Sequence, residues 1–142
     1  MNTENQLFSS GVGVNKLTKV TIPYNNVGIA LPGLVATLTI YTLQAKEYIN
    51  DIKIIPTTAY SGGSVSTCTA SIGVSTGLTK YTTAVNIFTG NTLVTDTHII
   101  IPGLESTSAS IPLLLTITST VGLLNTLSAG SLDIYIFTTI LS

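Results

Sequence analysis

The chain contains one imidazole, His98, the side chain best suited to general acid–base catalysis near neutral pH. Asp96 lies just before it and serines are frequent, so a Ser-His-Asp set can be written down. A working triad needs nucleophile, base and orienting group within hydrogen-bond reach of one another, and the sequence does not indicate that arrangement. His98 instead begins the isoleucine-rich run 98–101, which is typical of a strand. We therefore predict no catalytic residue and no enzymatic activity.

The possible metal ligands are also too dispersed to form a site. One histidine, one cysteine and single carboxylates do not give the ligand spacing of a zinc centre. Glu47 and Asp51 are predicted to share one strand face, where side chains four residues apart are separated by about 13 Å. Asp96 and Glu105 bracket a short predicted strand, and a calcium site there would need further ligands from elsewhere. We expect solvated surface carboxylates, and we predict no metal and no cofactor.

The single cysteine, Cys68, has no partner for an internal disulfide. It alternates with Ala70 and Ile72, so we predict that it is a small buried hydrophobic side chain. A reactive thiol or a bridge between subunits remains the alternative.

Charge is scarce throughout the chain. Asp, Glu, Lys and Arg make up 8% of the 142 residues, and the net charge is −1; an ordinary soluble domain has about 25% charged residues. Arginine is absent and the lysines are scattered, which argues against nucleic-acid binding. The mean hydropathy is +0.55, but no uninterrupted apolar run reaches the roughly 18 residues that span a bilayer. We predict a protein that binds neither nucleic acid nor membrane and that associates readily with other subunits.

Alternation of apolar and polar residues indicates strands along most of the chain. The clearest is 34–43, where Ala36, Leu38 and Ile40 share one face. The others are 14–22, 48–55, 65–74, 98–101, 113–119 and 132–141, whereas 78–88 also fits one helical turn. We predict an all-β fold, an antiparallel, jelly-roll-like β-sandwich of about eight strands. Residues 1–13 are predicted to be a flexible N-terminal arm, and 14–142 a single domain.

The last predicted strand is apolar on both faces. Leu132, Ile134 and Ile136 occupy one face, and the other carries Tyr135, Phe137 and Leu141. An antiparallel strand with one wet face should not show this pattern, so the strand is either central and covered or packed against another chain. The low charge favours the second interpretation. We therefore predict a homo-oligomer, a trimer, with Tyr135, Phe137 and Leu141 in its interface.

From residue 14 onward the sequence resembles small structural proteins of tailed bacteriophages. The resemblance rests on five short segments: Val20-Thr21-Ile22-Pro23-Tyr24, Ser61-Gly62-Gly63-Ser64, Val65-Ser66-Thr67, Ala70-Ser71-Ile72-Gly73-Val74, and 127–135. It implies a β-sandwich of the head-decoration or head-fibre type, and it assigns no binding residue.

Two functions of different classes follow. The first is a non-enzymatic virion subunit, a capsid decoration or head-fibre protein made in the host cytoplasm, which self-associates and docks on the major capsid protein or another virion protein through its arm. The alternative is a trimeric receptor- or glycan-binding jelly-roll module at a tail or fibre tip, or of the complement-like kind. In that alternative, some of the six tyrosines would form a sugar-binding platform.

Overall fold

The computed structural model describes residues 13–88 and 109–141. Seven strands and one 3-10 turn, Leu124–Thr126, are found there. The strands are β1 (Val14–Pro23), β2 (Val35–Leu43), β3 (Glu47–Ser61), β4 (Thr69–Gly73), β5 (Val85–Asn86), β6 (Ile111–Thr118) and β7 (Ala129–Ile140). The predicted strand 98–101 and residues 1–12 of the predicted arm lie outside the described residues.

The strands form two antiparallel sheets. One has the order β1-β7-β3 and the other has the order β2-β6-β4-β5. The chain passes between the sheets after β1, β2, β3 and β6, which is the kind of connection that builds a jelly-roll-like sandwich. The predicted fold class is therefore confirmed.

The core lies between the sheets because alternate residues of each strand are apolar. Ile52 and Ile54 of β3 face it from one sheet, and Leu115 and Ile117 of β6 face it from the other. The predicted inward face of β2 holds, since Ala36 and Ile40 are buried while Thr37 and Thr39 are exposed. Burying this aliphatic surface is the main source of folding free energy, at roughly 25 cal/mol per Å².

Two predictions about local structure were wrong. The segment 78–88 contains no helical turn: it carries turns and the short strand β5. Of the four residues with helical spacing, Tyr81 and Val85 are buried, Phe88 is half-buried and Ala84 is exposed. Strand β3 was expected to end at Ile55 but continues through Pro56 to Ser61, because register shifts after Pro56 and Thr58 accommodate a residue that cannot donate a ladder hydrogen bond.

Among the described residues, three connections meet at one end of the sandwich, which we call the loop end: 24–34, 62–68 and 119–128. Backbone hydrogen bonds join them to one another and to the strands, including Leu124 N–H to the Gly33 carbonyl at 2.8 Å and Ser66 N–H to the Val121 carbonyl at 3.3 Å. Tyr60 of β3 also joins β1 at this end, because its hydroxyl donates to the Ile22 carbonyl at 2.6 Å. Its ring passes over Gly130, where an added Cβ would lie 2.5 Å from the ring.

Candidate functional site

The candidate site is the outer face of the three-stranded sheet, the side turned away from the core. Strand β7 is central in its sheet, because it lies between β1 and β3. Its inward residues Leu132, Ile134 and Ile136 are fully buried. Its outward residues stand in rows with those of the neighbours, because the register places partners directly opposite. The two middle rows are Leu17, Phe137 and Asp51, then Lys19, Tyr135 and Lys53.

Phe137 and Tyr135 are half-buried at the middle of this face. Leu17, directly opposite Phe137 on β1, is 57% exposed. These three side chains form an apolar centre that water reaches from outside. Leu17 was missed as an interface candidate, although its alternation with Lys19 and Thr21 places it on their face.

The charged groups of the face are paired within the sheet. The Lys19 ammonium lies 3.1 Å from an Asp133 oxygen, and Thr21 donates to the other oxygen at 2.7 Å. Thr21 and Lys19 hold the pKa of the Asp133 carboxyl below its ordinary value, although desolvation acts in the opposite direction. The Lys19 ammonium also lies 5.7 Å from the centre of the Tyr135 ring. A partner covering this face would therefore meet few unpaired charges.

At the end of the outer face farther from the loop end, a row of hydrogen bonds links β3, β7 and β1. Asn50 Nδ2 of β3 donates to the Thr139 hydroxyl at 2.8 Å, and that hydroxyl donates to Asn15 Oδ1 of β1 at 2.7 Å. An open groove runs beside this row of hydrogen bonds, and Tyr48 and Phe137 also line it. The groove thus combines aromatic surface with amide groups.

The sequence-predicted interface residues are only partly together. Tyr135 and Phe137 are neighbours on the outer face, but Leu141 follows the end of β7 at the opposite end from the loops. Leu141 is half-buried, and its N–H donates to the Lys46 carbonyl at 3.0 Å.

Glu47 was predicted to be a solvated surface carboxylate on the same strand face as Asp51, and this prediction was wrong. It is fully buried, not solvated, and it does not share a face with Asp51. A register shift between Ile49 and Asp51 inserts Asn50 as an extra residue, so the face that Glu47 and Ile49 share turns inward and Asp51 turns outward. No residue pattern around Glu47 indicated this bulge.

The described residues offer no nucleophile with an activating base. Residues 73–77, Gly-Val-Ser-Thr-Gly, have the spacing of a hydrolase nucleophile elbow, but that motif works in a strand-to-helix turn. Here Val74 and Gly77 pair with each other in a tight turn between strand segments. Cys68 is buried as predicted, and burial raises the pKa of its thiol to about 12, so it is held as the unreactive thiol. His98, Asp96 and Glu105 lie outside the described residues.

Residues 13–88 and 109–141 contain no group of three or more His, Cys, Asp or Glu side chains placed to hold a metal ion. They also contain no helix with the length and apolarity needed to cross a bilayer.

Comparison with known proteins yields a likeness of fold. The sequence matches no protein-family model and no curated protein. Among solved structures, the chain is similar to a chain of the "Cyanophage Pam1 capsid asymmetric unit", with a TM-score of 0.66. The alignment covers 92% of this chain and 87% of that chain at 12% sequence identity. At that identity, the likeness is one of fold.

Proposed function

We propose that this chain is a non-enzymatic structural subunit of a bacteriophage virion, a capsid decoration or head-fibre protein. The observation that carries the proposal is the fold likeness to a chain of a cyanophage capsid unit, which extends over nearly the whole of both chains. The low charge, 8% of residues, supports it because subunit faces that become covered in an assembly are depleted of charge.

The subunit associates with copies of itself, as a trimer, through the outer face of the three-stranded sheet. Phe137, Tyr135 and Leu17 supply an apolar centre, and the Lys19–Asp133 pair supplies a polar border whose charges are already compensated. An apolar centre with a polar rim is the usual anatomy of a protein–protein interface. Leu141, at the end of β7, would lie at the edge of this contact.

The arm, residues 1–13, docks the assembly on the major capsid protein or another virion protein. Strand β1 begins at Val14, at the end of the sandwich opposite the loop end. An arm that leaves the domain there can reach a neighbouring protein without crossing the outer face.

The virion role is tested by quantitative mass spectrometry of purified particles from a phage that encodes this chain. We expect the chain in a copy number comparable with that of the shell protein, because decoration covers a shell repeatedly. A chain that is abundant in infected cells but missing from washed particles would refute the virion role.

Glycan binding is a second candidate function, and the groove beside Tyr48 favours it. Its aromatic ring and the amides of Asn15 and Asn50 are the side-chain types that pack on and hydrogen-bond to a sugar ring. Titration of the protein with a panel of soluble oligosaccharides, monitored by NMR chemical shifts, distinguishes the two candidate functions. Saturable shifts confined to the groove residues would favour glycan binding over the outer-face contact.

A further inference from the structure

Strand β1 is the least buried strand of the three-stranded sheet. Six of its ten residues are exposed, including Val14 at 64% and Leu17 at 57%, and Ile22 is the one residue that is buried. In contrast, none of the twelve residues of β7 is exposed. Packing β1 against the domain therefore removes little apolar surface from water, so the hydrophobic contribution that holds this strand in place is small.

Polar contacts at the surface help to hold β1 beside β7. In the order β1-β7-β3 it lies at one edge, so among the described strands it pairs with β7 alone. The Lys16 ammonium donates to the Tyr41 hydroxyl at 3.0 Å, and this bond is exposed. The Lys19 ammonium lies 3.1 Å from Asp133, and the lysine side chain is 51% exposed. Exposed contacts of this kind contribute little to stability, so β1 can separate from β7 while the rest of the sandwich stays folded.

The connection after β1 contains a pivot for such a movement. Ile22, near the end of the strand, and Ile29, within the connection, are both buried in the core. Between them, residues 24–28 form turns in which no residue is buried. One of these turns is closed by Asn26 N–H, which donates to the Pro23 carbonyl at 3.0 Å. Straightening residues 24–28 therefore carries β1 away from its own domain and leaves Ile29 in the core.

We propose that two copies of this chain exchange strand β1, so that β1 of each copy pairs with β7 of the other copy. The structure identifies the occupant of that edge of β7, because residues 14–23 pair with residues 131–140 along their whole length without a register shift. Exchange keeps this ladder and its side-chain contacts and changes the turns at 24–28, which is why strand exchange needs little free energy to form a dimer. The inference goes beyond the proposed function, since it requires neither a virion nor the outer-face contact.

The test is a disulfide placed across the β1–β7 ladder of the full-length chain. Asn15 and Thr139 are directly opposite each other, and the Thr139 hydroxyl donates to Asn15 Oδ1 at 2.7 Å. Asn15→Cys with Thr139→Cys therefore brings two thiols within disulfide range. The purified chain is treated with oxidised glutathione and separated on a denaturing gel without reductant. We expect chains linked in pairs, at twice the 14.8 kDa of one chain, because each β1 is then tied to β7 of the other copy.

Lys53→Cys with Tyr135→Cys is the matched control. These two residues are also directly opposite each other on the outer face, but they join β7 to β3, which is not exchanged. Their disulfide should stay within one chain. Both double variants also carry Cys68→Ala, which removes the natural thiol, and Leu17→Asp, which should dissociate the outer-face contact. A link between chains then reports the exchange of β1.

A second measurement does not depend on the introduced cysteines. The chain with Leu17→Asp alone should have the mass of two chains in multi-angle light scattering, because exchanged strands hold two copies together without the outer face. If the outer-face contact does not exist, this substitution leaves the mass unchanged and the disulfide result still decides the exchange. The two proposals can therefore fail separately.

Three results would overturn the exchange of β1. The first is an Asn15–Thr139 pair that links within single chains or does not link at all. The second is an equal yield of links between chains for the control pair, since those links come from a contact other than exchange. The third is a Leu17→Asp chain that has the mass of a single chain.

Discussion

At the scale of single residues, the buried carboxylate Glu47 joins the two sheets at the end opposite the loops. Its Oε1 accepts from the Tyr41 hydroxyl of β2 and from the Thr138 hydroxyl of β7, both at 2.6 Å. Its Oε2 accepts from Gln44 N–H at 2.8 Å. Lys16 donates to the Tyr41 hydroxyl at 3.0 Å, which brings a positive charge close to the network. Four chain segments thus depend on one side chain.

The hydrogen bonds to Glu47 stabilise its ionised form. Burial by itself would raise the pKa of this carboxyl, but Gln44 N–H, the Thr138 and Tyr41 hydroxyls and Lys16 outweigh burial and lower the pKa below 4.5. A carboxyl whose pKa is lower in the folded chain contributes stability fully above its ordinary pKa and loses it as the pH falls through the folded value. The stabilisation by Glu47 is therefore complete at neutral pH and lost in acid.

Glu47→Gln should lower the free energy of unfolding at neutral pH by about 1.5–3 kcal/mol, the range for hydrogen bonds to a charged group. The amide has the same size but replaces one acceptor oxygen by a donor, which then faces a donor. The difference in melting temperature from the unmodified chain should narrow as the pH falls below 4.5, measured by circular dichroism. Asp51→Asn is the control, since its carboxylate lies on the surface 3.9 Å from Lys53 and should matter little. A difference that stays constant into acid would contradict this role of Glu47.

At the scale of elements, β7 organises the candidate site because it is the strand between β1 and β3. Its alternation predicted the strand and both faces correctly. Its position in the sheet depends on pairing with segments more than 70 residues away, such as Ile54 with Ile134. A local pattern does not contain that information. The central position accounts for the paired edges of β7. The partner on its outer face is part of the proposed function.

Phe137→Asp should dissociate the proposed outer-face contact, since a carboxylate buried without a partner costs several kcal/mol. Leu17→Asp should do the same with less risk to folding, because this side chain is 57% exposed on the neighbouring strand. Thr39→Asp is the matched control: Thr39 is exposed on β2, in the opposite sheet. Light scattering combined with thermal melting checks all three. If Leu17→Asp and Thr39→Asp both keep the original mass, the outer face is not the interface.

The elements also show where sequence patterns fail. Regular alternation in β2 and around Cys68 identified inward residues, since a strand has period two. The bulge at Asn50 reversed the faces on one side of it, which is why Glu47 was expected in water. The helical spacing in 78–88 arose because Tyr81 and Val85 enter the core from a turn and a short strand. Each error lies where the backbone departs from a regular period.

At the scale of the whole molecule, charged side chains are distributed unevenly over the described surface. Compensated pairs border the outer face. The connections 24–34, 62–68 and 119–128 contain no Asp, Glu, Lys, Arg or His. The fold class could be predicted from the sequence because alternation and turn residues recur along most of the chain. The surfaces could not, because they are built from segments distant in sequence: the loop end alone combines three connections.

The most direct test of this account is the mass in solution of the unmodified full-length chain, measured by multi-angle light scattering across the micromolar range. One chain has a mass of 14.8 kDa. We predict a defined multiple of that mass that persists on dilution, because the proposed trimer buries the apolar centre of the outer face. A stable single chain throughout the range would contradict the claim that this protein is a subunit of an assembly.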